Sequence, residues 1–186
     1  PLIALYTGMR LNEICQLDVA DVQTLDGVAC FYVRPDPVAN GSKRLKTQAS
    51  ERVIPIHPVL LDIGIIAFVE SQRRQSVKKL FPELRRSATG YYSDSFSKWF
   101  RRFLIASDAE CSRTCFHSFR HSFRDALRQA AVEQEVSLAL GGWAAPSNAV
   151  SEAYGQGMPI SRLAAAIAKV HHQGVPLGEL KGTKAL

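Results

Sequence analysis

The sequence predicts a mainly α-helical domain that carries a small three-stranded antiparallel β-sheet. Apolar residues recur at helical spacing over most of the chain after Pro58, whereas β-rich runs bounded by turn residues cluster between Val28 and Ile56. The 186 residues are 46% apolar, enough to bury one sizeable core.

Residues 1–6 form an apolar, helix-like run that stops at Gly8, with neither an initiator Met nor a capping residue ahead of it. The chain is therefore expected to begin in mid-helix, as a fragment. Leu11, Ile14 and Leu17 continue at helical spacing. Asp26-Gly27 then turns the chain into Val28–Val33, after which Pro35, Pro37 and Asn40-Gly41 make a long turn. Residues 43–47 and 51–56 read as a hairpin around the polar bend Gln48-Ala49-Ser50, and with Val28–Val33 they supply the three strands.

Helices are expected over about 60–75, 93–106, 117–131, 133–140 and 160–170. In the last of these Ile160, Leu163, Ala164, Ile167 and Val170 make an apolar stripe. Beyond residue 172 the chain has Gly174, Pro176, Gly178 and Gly182 with few core-forming residues, so 1–172 reads as one domain and 173–186 as a flexible tail.

Lysine and arginine number 23 against 17 acidic residues, a net charge of +6, which is the balance of a chain that meets a polyanion. Residues 59–69 are the longest apolar run, but Asp62 and Gly64 interrupt it and it is too short to span a bilayer. Cys15, Cys30, Cys111 and Cys115 lie in apolar or helical contexts with no secretory segment ahead of them, the usage of reduced thiols in a cytoplasmic protein. Cys111, Cys115 and His117 form a single cluster without a second pair at ligand spacing, so no metal site is expected.

The chemistry concentrates in His117-Ser118-Phe119-Arg120-His121, followed by Gly142-Trp143 and Tyr154. Upstream lie Arg10 to Glu13 and Lys46-Thr47. His117 and Arg120 are one helical turn apart and face the same side, near a helix N-terminus that favours phosphate. Arg10 and Arg120 are suited to bidentate donation to non-bridging phosphate oxygens, a task for which lysine is a poor substitute. Lys46, at the bend of the expected hairpin, is a mobile point donor. Trp143 has one N–H and no acceptor. Tyrosine is a usable nucleophile toward phosphorus, but with a phenol pKa of about 10 it needs cationic neighbours or a base. His121 reads equally as a second polar group beside this site and as a helix-surface residue, and Lys43, Arg44, Arg101 and Arg102 are the candidate phosphate contacts. His57, His171 and His172 read as loop or tail residues.

Taken in order, Arg10, Lys46, His117, Arg120, Trp143 and Tyr154 resemble the tyrosine recombinases, or phage integrases, over residues 1 to about 158. Many relatives carry histidine where Trp143 stands. The resemblance implies the catalytic-domain fold of that family, with its N-terminal DNA-clamping domain absent. It implies site-specific recombination of double-stranded DNA through a 3′-phosphotyrosine on Tyr154, with no cofactor, metal or ATP. Lys46 would then protonate the departing 5′-oxygen, His117 would act in proton transfer, and Glu13 would orient an arginine. The resemblance further implies a homotetramer on DNA in the full-length protein and a monomer for the isolated fragment. Residues 160–170 would dock on a neighbouring protomer or pack on their own domain. The expected location is the bacterial nucleoid, with the gene on a prophage or mobile element. A type IB topoisomerase and a non-catalytic DNA-binding regulator on the same fold are the rival readings.

Overall fold

The computed structural model describes residues 1–36, 41–45, 50–112, 114–144 and 158–180. Helix α1 (Leu2–Thr7) ends at Gly8, whose φ of 64° reverses the chain, and helix α2 (Leu11–Cys15) starts directly after Arg10. A 3-10 turn at Val19–Asp21 leads into β1 (Val22–Leu25) and β2 (Val28–Val33). Asp26 and Gly27 join these strands with φ of 49° and 78°, the two left-handed residues that let a tight turn follow the twist of its strands. Strand β3 (Arg52–Pro55) completes an antiparallel sheet of order β1-β2-β3, with Phe31 opposite Val22 on one side and Ile54 on the other.

The sheet has the expected size and sense, but its strands differ from the expected set. Residues 43–45 form no strand and β1 takes that place in the count. The physical reason is Gln16. Its side-chain oxygen accepts from the Arg44 N–H at 2.9 Å and its Nε2 donates to the Arg44 carbonyl at 3.1 Å, so a side-chain amide occupies the peptide groups that a strand partner would have used.

The expected helix over 60–75 is two helices, α3 (Pro58–Asp62) and α4 (Ile65–Arg74), separated at Gly64 with φ 91°. Helix α5 spans Ser93–Ala106 and α6 spans Ser118–Gln129. Helix α7 (Gln134–Gly141) and helix α8 (Ile160–Ile167) come next in the chain, and α9 (Leu177–Leu180) lies within the expected tail, whose residues 181–186 are outside those described. Among the described residues no helix is long and apolar enough to cross a membrane.

Two packing relationships fix α6 and α8 in place. Helix α6 lies on α1, burying Phe123, Ala126 and Leu127. Helix α8 covers β3, β2 and α7, burying Ile160, Leu163, Ala166, Ile167 and Val170, so the apolar stripe of this segment is satisfied within the same chain. Ala166 takes the buried position expected for Ala164, because the helix presents i, i+3, i+6 and i+7 to the sheet.

His57 is a correction to the sequence reading. Rather than a loop residue it is a fully buried helix cap, its Nδ1 accepting from the Val59 N–H at 3.0 Å. That bond places the ring proton on Nε2, which donates to the Val170 carbonyl at 2.9 Å and ties the end of the α8 segment to the start of α3. Tyr6 packs against the His57 ring at 4.5 Å and against His172 at 5.1 Å. His172 in turn bonds the Leu5 carbonyl at 3.0 Å, so it too is a packed residue rather than part of a loose tail.

Candidate active site

The turn after α1 and the first turn of α2 build the first half of the site. Arg10 precedes α2 in extended conformation, and Glu13, one turn on, accepts the Arg10 backbone N–H at 2.9 Å through Oε2. The other oxygen, Oε1, accepts Arg10 Nη1 at 2.6 Å. One carboxylate thus fixes both the backbone and the guanidinium of Arg10, as the reciprocal capping arrangement does for a helix start. Arg10 Nη1 also donates to the Ser50 hydroxyl at 3.1 Å. Burial works to raise the Glu13 pKa, but the charge and hydrogen bonds of Arg52, with the bonds from Arg10, outweigh it and hold the carboxyl below the ordinary range.

Helix α6 supplies the second half. Arg120 lies on its inward face with Phe123 and Leu127, and is itself buried, 4% exposed. Its Nη1 donates to the Gly8 carbonyl at 2.6 Å. A β-carbon on Gly8 would come within 2.4 Å of Phe123 Cδ1, so glycine there permits both the left-handed turn and the close approach of α6. Arg120 Nη2 is buried without a hydrogen-bond partner among the described residues. Burial, reinforced by the like charges of Arg10 and Arg52 and partly offset by Glu13, brings the Arg120 pKa down to about 10. A cation so placed favours the arrival of an anion.

Trp143 closes this side. Helix α7 ends at Gly142 with φ 59°, the Trp143 N–H returns to the Leu138 carbonyl at 3.1 Å, and the indole lies half-buried over Gly141, where any β-carbon would approach the ring to 2.0 Å. The guanidinium of Arg120 sits 4.7 Å from the ring centroid. The ring face, and not the N–H that the sequence offers as a donor, is what meets the arginine.

Arg52, which the sequence reading passed over, sits in the centre of the cluster with its side chain 5% exposed. Its Nη2 bonds Glu13 Oε2 at 3.0 Å, its Nη1 the Ser50 carbonyl at 2.7 Å and its Nε the Leu140 carbonyl at 3.0 Å. A signal was available. In a strand residues two apart share a face, and Arg52 alternates with the buried Ile54, which puts a charge on the inward side.

The remaining expected residues fall in several places. His117 stands at the N-terminus of α6, exposed, its ring 5.0 Å from that of the exposed His121. Lys43 is a correction. Expected on a phosphate-facing surface, its side chain is only 4% exposed and is ion-paired to Asp18 at 2.9 Å and to Asp21, so its charge is spent inside the fold. Arg44 is exposed and packs on the exposed Tyr91, at 5.6 Å from its ring centroid. Arg101 and Arg102 are exposed on α5, Arg101 pairing with Glu110 at 3.2 Å. Tyr92 is buried with the Lys79 ammonium 4.6 Å over its ring. Lys46 and Tyr154 lie outside the described residues.

The structure therefore brings together Arg10, Glu13, Arg120 and Trp143, and adds Arg52 and Ser50. Against known families, the chain matches the model described as the phage integrase family over residues 2–155. No curated protein and no solved structure matches it.

Proposed function

Because the chain belongs to the phage integrase family, whose role is the breaking and rejoining of DNA, we propose that it is the catalytic domain of a site-specific recombinase acting on duplex DNA through a 3′-phosphotyrosine on Tyr154, without metal or ATP. The observation that carries the reading is a surplus of positive charge. Arg10, Arg52 and Arg120 gather around the buried carboxylate of Glu13, and the crowding of like charges helps lower the Arg120 pKa. Such a cluster suits a phosphodiester, whose charge grows as phosphorus becomes five-coordinate.

In this reading Arg10 and Arg120 donate to the non-bridging oxygens. The Tyr154 oxygen attacks phosphorus and its phenolic proton passes to the His117 imidazole. The bond from phosphorus to the 5′-oxygen breaks, and that oxygen takes a proton from Lys46. The phosphotyrosine keeps the free energy of the broken phosphodiester, so a new 5′-hydroxyl rejoins the strand by the reverse path. Arg44, Arg101 and Arg102 are candidate contacts to DNA phosphates, and exchange proceeds with four protomers on two sites.

Incubation with a nicked duplex that traps the covalent intermediate tests this. The expected adduct maps by mass spectrometry to Tyr154, forms in EDTA and is absent from Tyr154→Phe. An adduct on Tyr91, or one that needs Mg²⁺, overturns the mechanism. Relaxation of plasmid that lacks a defined site, in place of exchange between two sites, identifies a type IB topoisomerase instead. A substrate with sulfur at the 5′-leaving position should restore cleavage to Lys46→Ala, since a thiolate departs without a proton; equal impairment on both substrates removes the acid role from Lys46.

A further inference from the structure

We propose that Arg52 is a positioning residue for strand cleavage, one guanidinium that sets the two phosphate-binding arginines against each other. The proposal rests on the recombinase reading above and extends it to a residue that reading does not use. Among the described residues Arg10 Nη1 has two acceptors, Glu13 Oε1 at 2.6 Å and the Ser50 hydroxyl at 3.1 Å. Arg52 bonds both of those residues, Glu13 through Oε2 at 3.0 Å and Ser50 through its carbonyl at 2.7 Å. Whatever moves Arg52 therefore moves both anchors of Arg10.

The third bond runs in the other direction. Arg52 Nε holds the Leu140 carbonyl at 3.0 Å, in the last turn of α7, three residues before the indole that faces Arg120. Arg52 thus reaches Arg10 through α2 and the Ser50 segment, and Arg120 through α7 and Trp143. The three bonds leave from three different nitrogens of one rigid plane, a geometry that a lysine ammonium, with all its donors on one atom, cannot reproduce. All three nitrogens face protein groups and the side chain is 5% exposed, so the residue acts through its neighbours and not on the DNA. Misplacing a preorganised donor by about 1 Å costs on the order of 100-fold in rate.

The test is single-turnover covalent capture of the nicked duplex at saturating protein, with Arg52→Lys compared in the unaltered and Arg10→Ala backgrounds, and with folding checked by circular dichroism and duplex affinity by fluorescence anisotropy. Arg52→Lys should slow the saturated cleavage rate by at least about 30-fold while duplex affinity changes less than about threefold. In the Arg10→Ala background the same substitution should cost less, because one of the two donors it positions is already gone. A residue that merely supports the fold would lose rate in proportion to the unfolded fraction and equally in both backgrounds. Should Arg52→Lys fail to fold, Arg52→Gln carries the same measurement. An Arg52 variant that cuts at the unaltered rate, or that loses as much without Arg10, overturns the positioning role alone. An unaltered chain that forms no adduct overturns the recombinase reading, and the positioning role with it.

Discussion

The guanidinium carbon of Arg120 lies 4.7 Å from the centroid of the Trp143 ring. The π face offers a partial negative charge to a cation that burial has already stripped of water, and it does so without accepting a proton. Trp143→Ala should therefore slow cleavage by about tenfold, whereas Trp143→Phe, which keeps a ring face and loses the indole N–H, should retain most of the rate. Equal losses in single-turnover assays of the two variants would assign the effect to the N–H instead.

Gly8 combines φ 64°, a carbonyl that receives Arg120 Nη1 at 2.6 Å, and a space in which a β-carbon would meet Phe123 at 2.4 Å. Gly8→Ala forces either the left-handed turn or the seat of α6 to shift. Urea unfolding should report a loss of about 2 kcal/mol or more. In the fraction that remains folded, cleavage should fall further than duplex affinity. A variant as stable and as active as the unaltered chain would contradict this account of the α1 to α6 contact.

His57 makes stability depend on pH in a stated direction. Burial is the main cause that lowers its pKa from 6.5 to about 4, helped by the neighbouring His171 and His172 and opposed by the bond to Val170. Between those values the unfolded chain binds the proton that the folded chain refuses, so stability is complete above about pH 6.5 and declines as pH falls toward about 4. Glu13, held below its ordinary 4.5, adds a further loss at still lower pH. Urea midpoints measured from about pH 7 down to about pH 5 should fall for the unaltered chain and fall less steeply for His57→Gln. Parallel curves would show that His57 does not titrate as its burial implies.

Lys43 and Arg102 should separate cleanly although both are cations. Lys43→Met strips the buried Asp18 and Asp21 of a partner and should cost about 3–5 kcal/mol of stability without changing how duplex affinity depends on salt. Arg102→Ala touches an exposed side chain on α5, and should leave the unfolding midpoint alone while lowering the slope of log affinity against log salt by about 1. The reverse pattern would restore Lys43 to the DNA-facing surface.

Local signals carried the sequence reading furthest. Helix α5 falls at Ser93–Ala106, the expected range, and the spacing of His117 and Arg120 sets both near the start of α6. The misses came from distant partners. Residues 43–45 look like a strand, but Gln16, 28 residues upstream, takes the Arg44 peptide. Strand β1 is only four residues long with a single buried position, too short for alternation to stand out. Arg52 reads as an ordinary strand charge until Glu13 and Leu140, 39 and 88 residues away, converge on it. The cation on the inward face was visible; its partners were set by tertiary packing.

The two candidate phosphate arginines are moored differently. Arg10 is tied to a carboxylate, which acid can neutralise, whereas Arg120 is tied to the Gly8 carbonyl, a dipole that no proton removes. Acidification therefore loosens one donor before the other. Because Glu13 is itself held below its ordinary 4.5, mild acid leaves both donors moored, and only a medium more acidic than that sets Arg10 adrift while Arg120 stays aimed, turning a pair of matched clamps into a single one.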